Sequence, residues 1–120
     1  MQCPQDPRVA RTIAAMEEDL ARRWRVQDLA AICGLSASRF AHLFRDATGM
    51  SPLRRLHELR LERARELLKR TSLSVQDVMA LVGATDASHF SRDFRNHFGM
   101  TPREYRREHS SFNPVRCQSR

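Results

Sequence analysis

Two trios of polar side chains recur along this chain at the spacing of a single helical face: Ser38, His42 and Arg45, then Ser88, Arg92 and Arg95. Steps of four and three residues place each trio along one stripe of an α-helix. Every member can donate a hydrogen bond, and the planar arginine fork matches phosphate oxygens and the O6/N7 edge of guanine. The chemistry such faces support is recognition of a polyanion rather than the making of bonds. Arg39 and His89 stand with Ser38 and Ser88 near the N-terminal ends of the same stretches, where the helix dipole also favours phosphate. Ser36, Thr85, Ser91, Asn96 and Arg54 are candidates for phosphate contacts or helix caps.

Catalysis needs a clustered nucleophile, base and orienting group, or a set of metal ligands. The histidines at 42, 57, 89, 97 and 109 are dispersed, and no His/Glu/His or paired-cysteine spacing suits a metal. No enzyme activity, metal or cofactor is therefore expected. The three cysteines, Cys3, Cys33 and Cys117, are odd in number and scattered, which excludes a small disulfide framework. Cys33 falls on an apolar helical face and reads as core.

The elements that must hold these residues come from an internal duplication. Val26-Gln27-Asp28 through Gly34 recurs at Val75-Gln76-Asp77 through Gly83, and Phe40 through Pro52 recurs at Phe90 through Pro102. The offset is 49 residues before the turn and 50 after it, so the second turn holds one residue more. Two copies are too few for a helical solenoid, which needs three or more to bury a continuous core. Two copies of helix, short turn and helix suggest tandem helix-turn-helix units instead.

The apolar spacing predicts a first helix opened by Asp6-Pro7 and carrying Val9, Ile13, Met16 and Leu20, with Glu17, Glu18 and Asp19 on or beside its outer surface. A second helix spans about 26–33, ended by Gly34, with Ser36 capping the next. In 37–48 the stripe is Phe40, Leu43, Phe44 and Ala47, and the opposite face holds no acid until Asp46 at its edge. In the second unit Ser74 and Asp77 form a capping-box pattern, Gly83 ends one helix, Thr85 or Asp86 caps the next, and Phe90, Phe94 and Phe98 point inward. A long helix from Pro52 to about Lys69, dense in both charges, joins the two units. A last short helix follows Thr101-Pro102, and the tail reads as loosely ordered. No strand pattern occurs.

The fold class expected is thus all-α. Its divisions are a first helix-turn-helix subdomain over 6–51, a linker helix over 52–70, a second subdomain over 71–108 and a flexible tail over 109–120. The 120 residues carry a net charge of +7, with 21 Lys and Arg together, of which all but Lys69 are arginine. That excess suits nucleic acid, although arginine-rich coding or solubility would leave the same mark. No apolar run approaches the length of a membrane span and no signal peptide opens the chain, so a cytoplasmic location without membrane contact is expected.

From Val9 to Arg107 the arrangement resembles the DNA-binding domain of the AraC/XylS family of bacterial transcription regulators. Phe90-Ser91-Arg92, Phe94, Phe98-Gly99, Pro102 and Tyr105-Arg106 match the spacing of that family's signature, and Arg60-Leu61-Glu62-Arg63-Ala64-Arg65-Glu66-Leu67-Leu68 resembles its linker helix. The resemblance implies seven helices in two subdomains, with recognition helices 37–48 and 86–98 entering successive major-groove segments of double-stranded DNA. It further implies contact with RNA polymerase as an activator. The chain departs from the pattern at Ala84, where a large apolar residue usually follows the turn glycine, and at Arg25, where a capping Ser or Thr is usual.

On this footing Arg92 is the leading base-contact candidate, with phosphate contact as its alternative. Arg45 and Arg95 suit bases or phosphates equally, and His42 either donates to a base or is simply solvated. Ala41 offers only a methyl group, so the first helix is expected to hydrogen-bond less than the second. His42 and Arg92 occupy matching positions, which predicts two halves that read different bases in an asymmetric site. Many family members carry a separate sensor domain for which this length leaves no room. No effector site is expected here, and the chain acts as a monomer or dimerises through a domain it lacks. The rival reading is a basic helical module that binds a protein without reading DNA sequence.

Overall fold

The computed structural model describes residues 6–109, so Cys3, Cys117 and residues 110–120 of the expected tail lie outside the described residues. Seven helices follow in order: α1 Pro7–Glu18, α2 Val26–Cys33, α3 Ala37–Thr48, α4 Pro52–Arg70, α5 Val75–Val82, α6 Ala87–Phe98 and α7 Pro102–His109. No strand occurs among the described residues. Two compact units divide within α4, one ending at Leu59 and one beginning at Arg60. The last helix takes in His109, the first residue of the expected tail.

In the first unit Val9, Met16, Leu20, Leu29, Ala30, Phe40 and Phe44 form a buried core completed by Leu56 and Leu59 of α4. Helix α1 stops at Glu18, two residues before its apolar stripe ends, yet Leu20 remains buried in the turn that follows. Thr12 is fully buried, which its polarity argues against, because its hydroxyl donates to the Val9 carbonyl at 2.8 Å and needs no other partner. Ile13, the stripe residue beside it, is only half-buried. After α1 the Trp24 ring nitrogen donates to the Asp19 carbonyl at 2.9 Å, and the Arg22 guanidinium lies 4.2 Å over the ring.

The cap missing at Arg25 is supplied from inside the helix. The Asp28 carboxylate accepts from the Arg25 backbone N–H at 3.0 Å, and that bond holds its pKa below the ordinary value. In the second unit Ser74 serves, accepting from the Asp77 N–H at 3.0 Å. Gly34 ends α2 with a φ of +70°, the left-handed conformation that glycine adopts without a Cβ penalty. The Leu35 N–H then reaches the Ala30 carbonyl at 3.0 Å, and in the second turn the Ala84 N–H reaches Met79 at 2.9 Å. The smaller Ala84 therefore leaves that turn as tight as the first.

The second unit buries Leu61, Ala64, Leu68, Val78, Met79, Val82, Phe90 and Phe94. Phe94 is the hub, with ring centroids 5.9 Å from Phe90, 4.7 Å from Phe98 and 5.9 Å from Tyr105. Phe98 is half-buried rather than buried, and its ring is covered by the Arg65 guanidinium at 4.6 Å. The extra turn residue is absorbed by moving the cap: Asp86, not Thr85, accepts from the His89 N–H, at 3.0 Å. Helix α6 accordingly starts at Ala87, one residue later than expected.

Candidate nucleic-acid interface

Helices α3 and α6 are each fixed from their buried side. Phe40 and Phe44 lock α3 into the first core and Phe90 and Phe94 lock α6 into the second, so the opposite faces turn to solvent. Ser38, Arg39, His42 and Arg45 are all exposed on α3, and Ser88, His89, Arg92, Arg95 and Asn96 on α6. Of the secondary candidates, Ser36 caps α3 by accepting from the Arg39 N–H at 3.2 Å, and Thr85 is exposed without capping. Ser91 is half-buried on the flank of α6. Arg54 is exposed in the first turn of α4, with its N–H bonded to the Ser51 hydroxyl.

The two faces differ in charge. On α3 the Asp46 carboxylate, at the edge of the face, lies 3.4 Å from His42 Nε2, one turn away, so this face carries its own acid. The matching positions on α6 are Arg92 and Asn96, and Arg92 has no carboxylate partner among the described residues. His89 does meet an acid, Asp93, at 3.4 Å. Arg95 lies in the field of Glu104, whose pKa is lowered first by the Thr101 backbone N–H and also by Arg95 and Arg107. Arg92 and Arg45 are therefore the arginines of the two trios with no carboxylate partner among the described residues, and of the two matching positions 42 and 92 only Arg92 stands without an acid.

Two shallow depressions flank these helices. One of about 510 Å³ brings Ser38, Arg39 and His42 together with Asp46 and with Arg8 of α1. Arg8 is held by Asp6 through contacts of 3.1 and 2.9 Å, and Asp6 is pushed low by that pairing. The other, of about 380 Å³, is lined by Gln76, Met79, Ala87, Ser91, Thr101 and Arg103 among others. Arg8 and Arg103 are absent from the residues picked out by helical spacing. Arg8 has no local signal, because only the packing of α1 beside α3 brings it there. Arg103 had one: the duplication pairs it with Leu53. Among the described residues no cluster of three or more His, Cys, Asp or Glu could hold a metal, and no helix is long and apolar enough to cross a membrane.

A family model described as a helix-turn-helix domain matches residues 29–108. The RCS-specific HTH-type transcriptional activator RclR of Escherichia coli is 40% identical over 100 residues, which are 83% of this chain and 35% of that protein. The transcriptional activator NphR of a Rhodococcus species is 45% identical over 71% of this chain and 25% of its own length. The chain thus spans about a third or less of these curated relatives. Among solved structures, an AraC-type DNA-binding transcriptional regulator from Chromobacterium violaceum superposes with a TM-score of 0.82 at 34% identity, covering 89% of this chain and 96% of that one. The DNA-binding domain of the global transcriptional factor AdpA, crystallised with a target DNA, gives 0.77 at 31% identity over 83% and 90% of the two chains.

Proposed function

This chain belongs to the AraC/XylS family of helix-turn-helix transcription regulators, and from that premise we propose that it binds double-stranded DNA with sequence specificity through α3 and α6. The observation that supports this most directly is Arg92. It stands exposed, with no carboxylate partner among the described residues, on the face of α6 opposite Phe90 and Phe94. A helix of about 10–12 Å diameter fits the major groove, where an arginine fork pairs bidentately with guanine. On α3, Ser38, Arg39, His42 and Arg45 read or clamp a second segment, with His42 tempered by Asp46. The halves read different bases, and α6 contributes more hydrogen bonding than α3.

By likeness to relatives named as activators, the DNA-bound protein contacts RNA polymerase and raises transcription in the bacterial cytoplasm. It works by binding rather than as an enzyme. The test is a gel-shift titration against random and selected duplexes at several salt concentrations. Phosphate contacts weaken steeply with salt, whereas sequence selectivity persists as a ratio between duplexes. Failure to enrich any sequence would leave the reading as a basic protein-binding module in its place.

A further inference from the structure

A helix with its side chains is about as wide as the major groove, so a recognition helix seated there presses both flanks toward the phosphate strands. What lies along those flanks decides where the backbone is gripped. One flank of α6, marked by Ala87 and Ser91, opens into the 380 Å³ depression whose far walls are the first turns of α5 and α7. Its polar lining residues are Ser91, Gln76, Thr101 and Arg103, and no acidic residue lines it. The Thr101 hydroxyl is already engaged by the Glu104 N–H at 3.2 Å. Arg103 is exposed and has no carboxylate partner among the described residues.

The first unit serves as an internal comparison. The residues matching Ser91 and Arg103 there are Ala41 and Leu53, and Leu53 is 42% exposed. An apolar side chain and a methyl group offer nothing to a phosphate. The depression of the first unit lies beside Arg39, His42 and Asp46 instead, and the arginine that reaches it from α1 is already held by Asp6. The duplication has thus kept Pro52 and Pro102 at the starts of α4 and α7, and Gln27 and Gln76 at matching places, while adding the hydroxyl of Ser91 and the guanidinium of Arg103 in the second copy alone.

We propose that Arg103, with Ser91 and Gln76, seats a phosphate of the DNA backbone at the flank of α6. The inference rests on the DNA-binding reading and adds to it a phosphate contact outside the recognition helices. The contact is independent of sequence, because phosphates are common to every base pair. It fixes the register of α6 in the groove so that Arg92 meets its base squarely.

The experiment measures Kd of the whole chain for a selected and a random duplex from 50 to 200 mM salt. Arg103→Gln weakens both duplexes by the same factor and makes the plot of log affinity against log salt shallower by about one phosphate. Between those salt concentrations its affinity then falls about 3.5-fold less than that of the wild type. Arg103→Lys keeps the slope. An unchanged slope in Arg103→Gln, or a loss confined to the selected duplex, overturns the inference. If Arg103→Gln fails to fold, Ser91→Ala, which installs the residue of the first unit, takes its place: uniform weakening supports the contact and unchanged affinity overturns it. A wild type that selects no duplex overturns the DNA-binding reading itself, and the inference with it. A selective wild type whose slope Arg103→Gln reproduces overturns the inference alone.

Discussion

Arg106 closes the C-terminal end of α4 against Leu68: its Nε donates to the Leu68 carbonyl at 3.2 Å while its terminal nitrogen donates to the Thr71 carbonyl, also at 3.2 Å. The last carbonyls of a helix have no partner within it, and a planar fork can satisfy two at once. Burial pushes this guanidinium's pKa down, as expected for a cation serving structure inside the unit. Arg106→Ala should lower stability by about 1.5 kcal/mol, the low end for hydrogen bonds from a charged donor, because the side chain is only half-buried. Arg106→Lys should recover less than half of that, having no fork. Urea unfolding followed by circular dichroism measures both, and a lysine variant as stable as wild type would contradict the two-carbonyl account.

Arg92→Ala should lose about 1–3 kcal/mol of discrimination at one guanine and relax the selected sequence there, while affinity for random duplexes changes little. Binding selections run in parallel on wild type and variant read this out. A uniform loss across all sequences would assign Arg92 to phosphate instead.

Gly34→Ala should destabilise the chain by about 1–2 kcal/mol, the cost of a left-handed backbone for a residue with a Cβ. A Cβ built there meets nothing within 4 Å, so no steric clash adds to the cost. Gly34→Asn should lose distinctly less, since asparagine tolerates this conformation. Equal losses in thermal melts would show that space, not backbone angle, governs the turn.

Acid should weaken the fold through its capping carboxylates. Asp28 and Glu104 are held below their ordinary values of 3.8 and 4.5, first by backbone N–H donors, those of Arg25 and Thr101. Because the native pKa is the lower one, the unfolded chain takes up protons first as pH falls. The contribution is whole above the ordinary carboxylate range and disappears as pH drops through the lowered native values. Asp28→Asn and Glu104→Gln should therefore reduce the urea midpoint at pH 7 and flatten its decline between about pH 5 and pH 3. Variant profiles parallel to the wild type would refute this assignment.

The duplication makes much of this architecture legible in the sequence itself. Phe40 and Phe44, with their counterparts Phe90 and Phe94, announce the buried faces of α3 and α6 by spacing alone, and the solvent faces follow as their complement. Helical periodicity reports the direction of a side chain from its own axis. It does not report which partner a side chain finds, whether within its own helix or on a neighbouring element, and the departures have that origin. Thr12 is buried because it finds a carbonyl in its own helix. Leu20 stays in the core beyond the end of α1. Asp46 shares a face with His42 because one turn brings i and i+4 together. Arg8 and Arg103 reach the flanks of the recognition helices from other elements, so no stretch of local sequence contains both ends of the contact.

The chain has one tryptophan and one tyrosine, and the division at Leu59 and Arg60 gives one to each unit. Trp24, tethered to Asp19 beneath Arg22, is a fluorophore belonging to the first unit, and Tyr105 against Phe94 is a chromophore belonging to the second. The protein thus comes with two native optical labels. Exciting indole at the red edge of its band, where tyrosine does not absorb, follows the first half of a denaturation or binding curve, and tyrosine signal read in a Trp24→Phe variant follows the other. Comparing the two curves tells whether the halves melt together or in sequence, without attaching a dye.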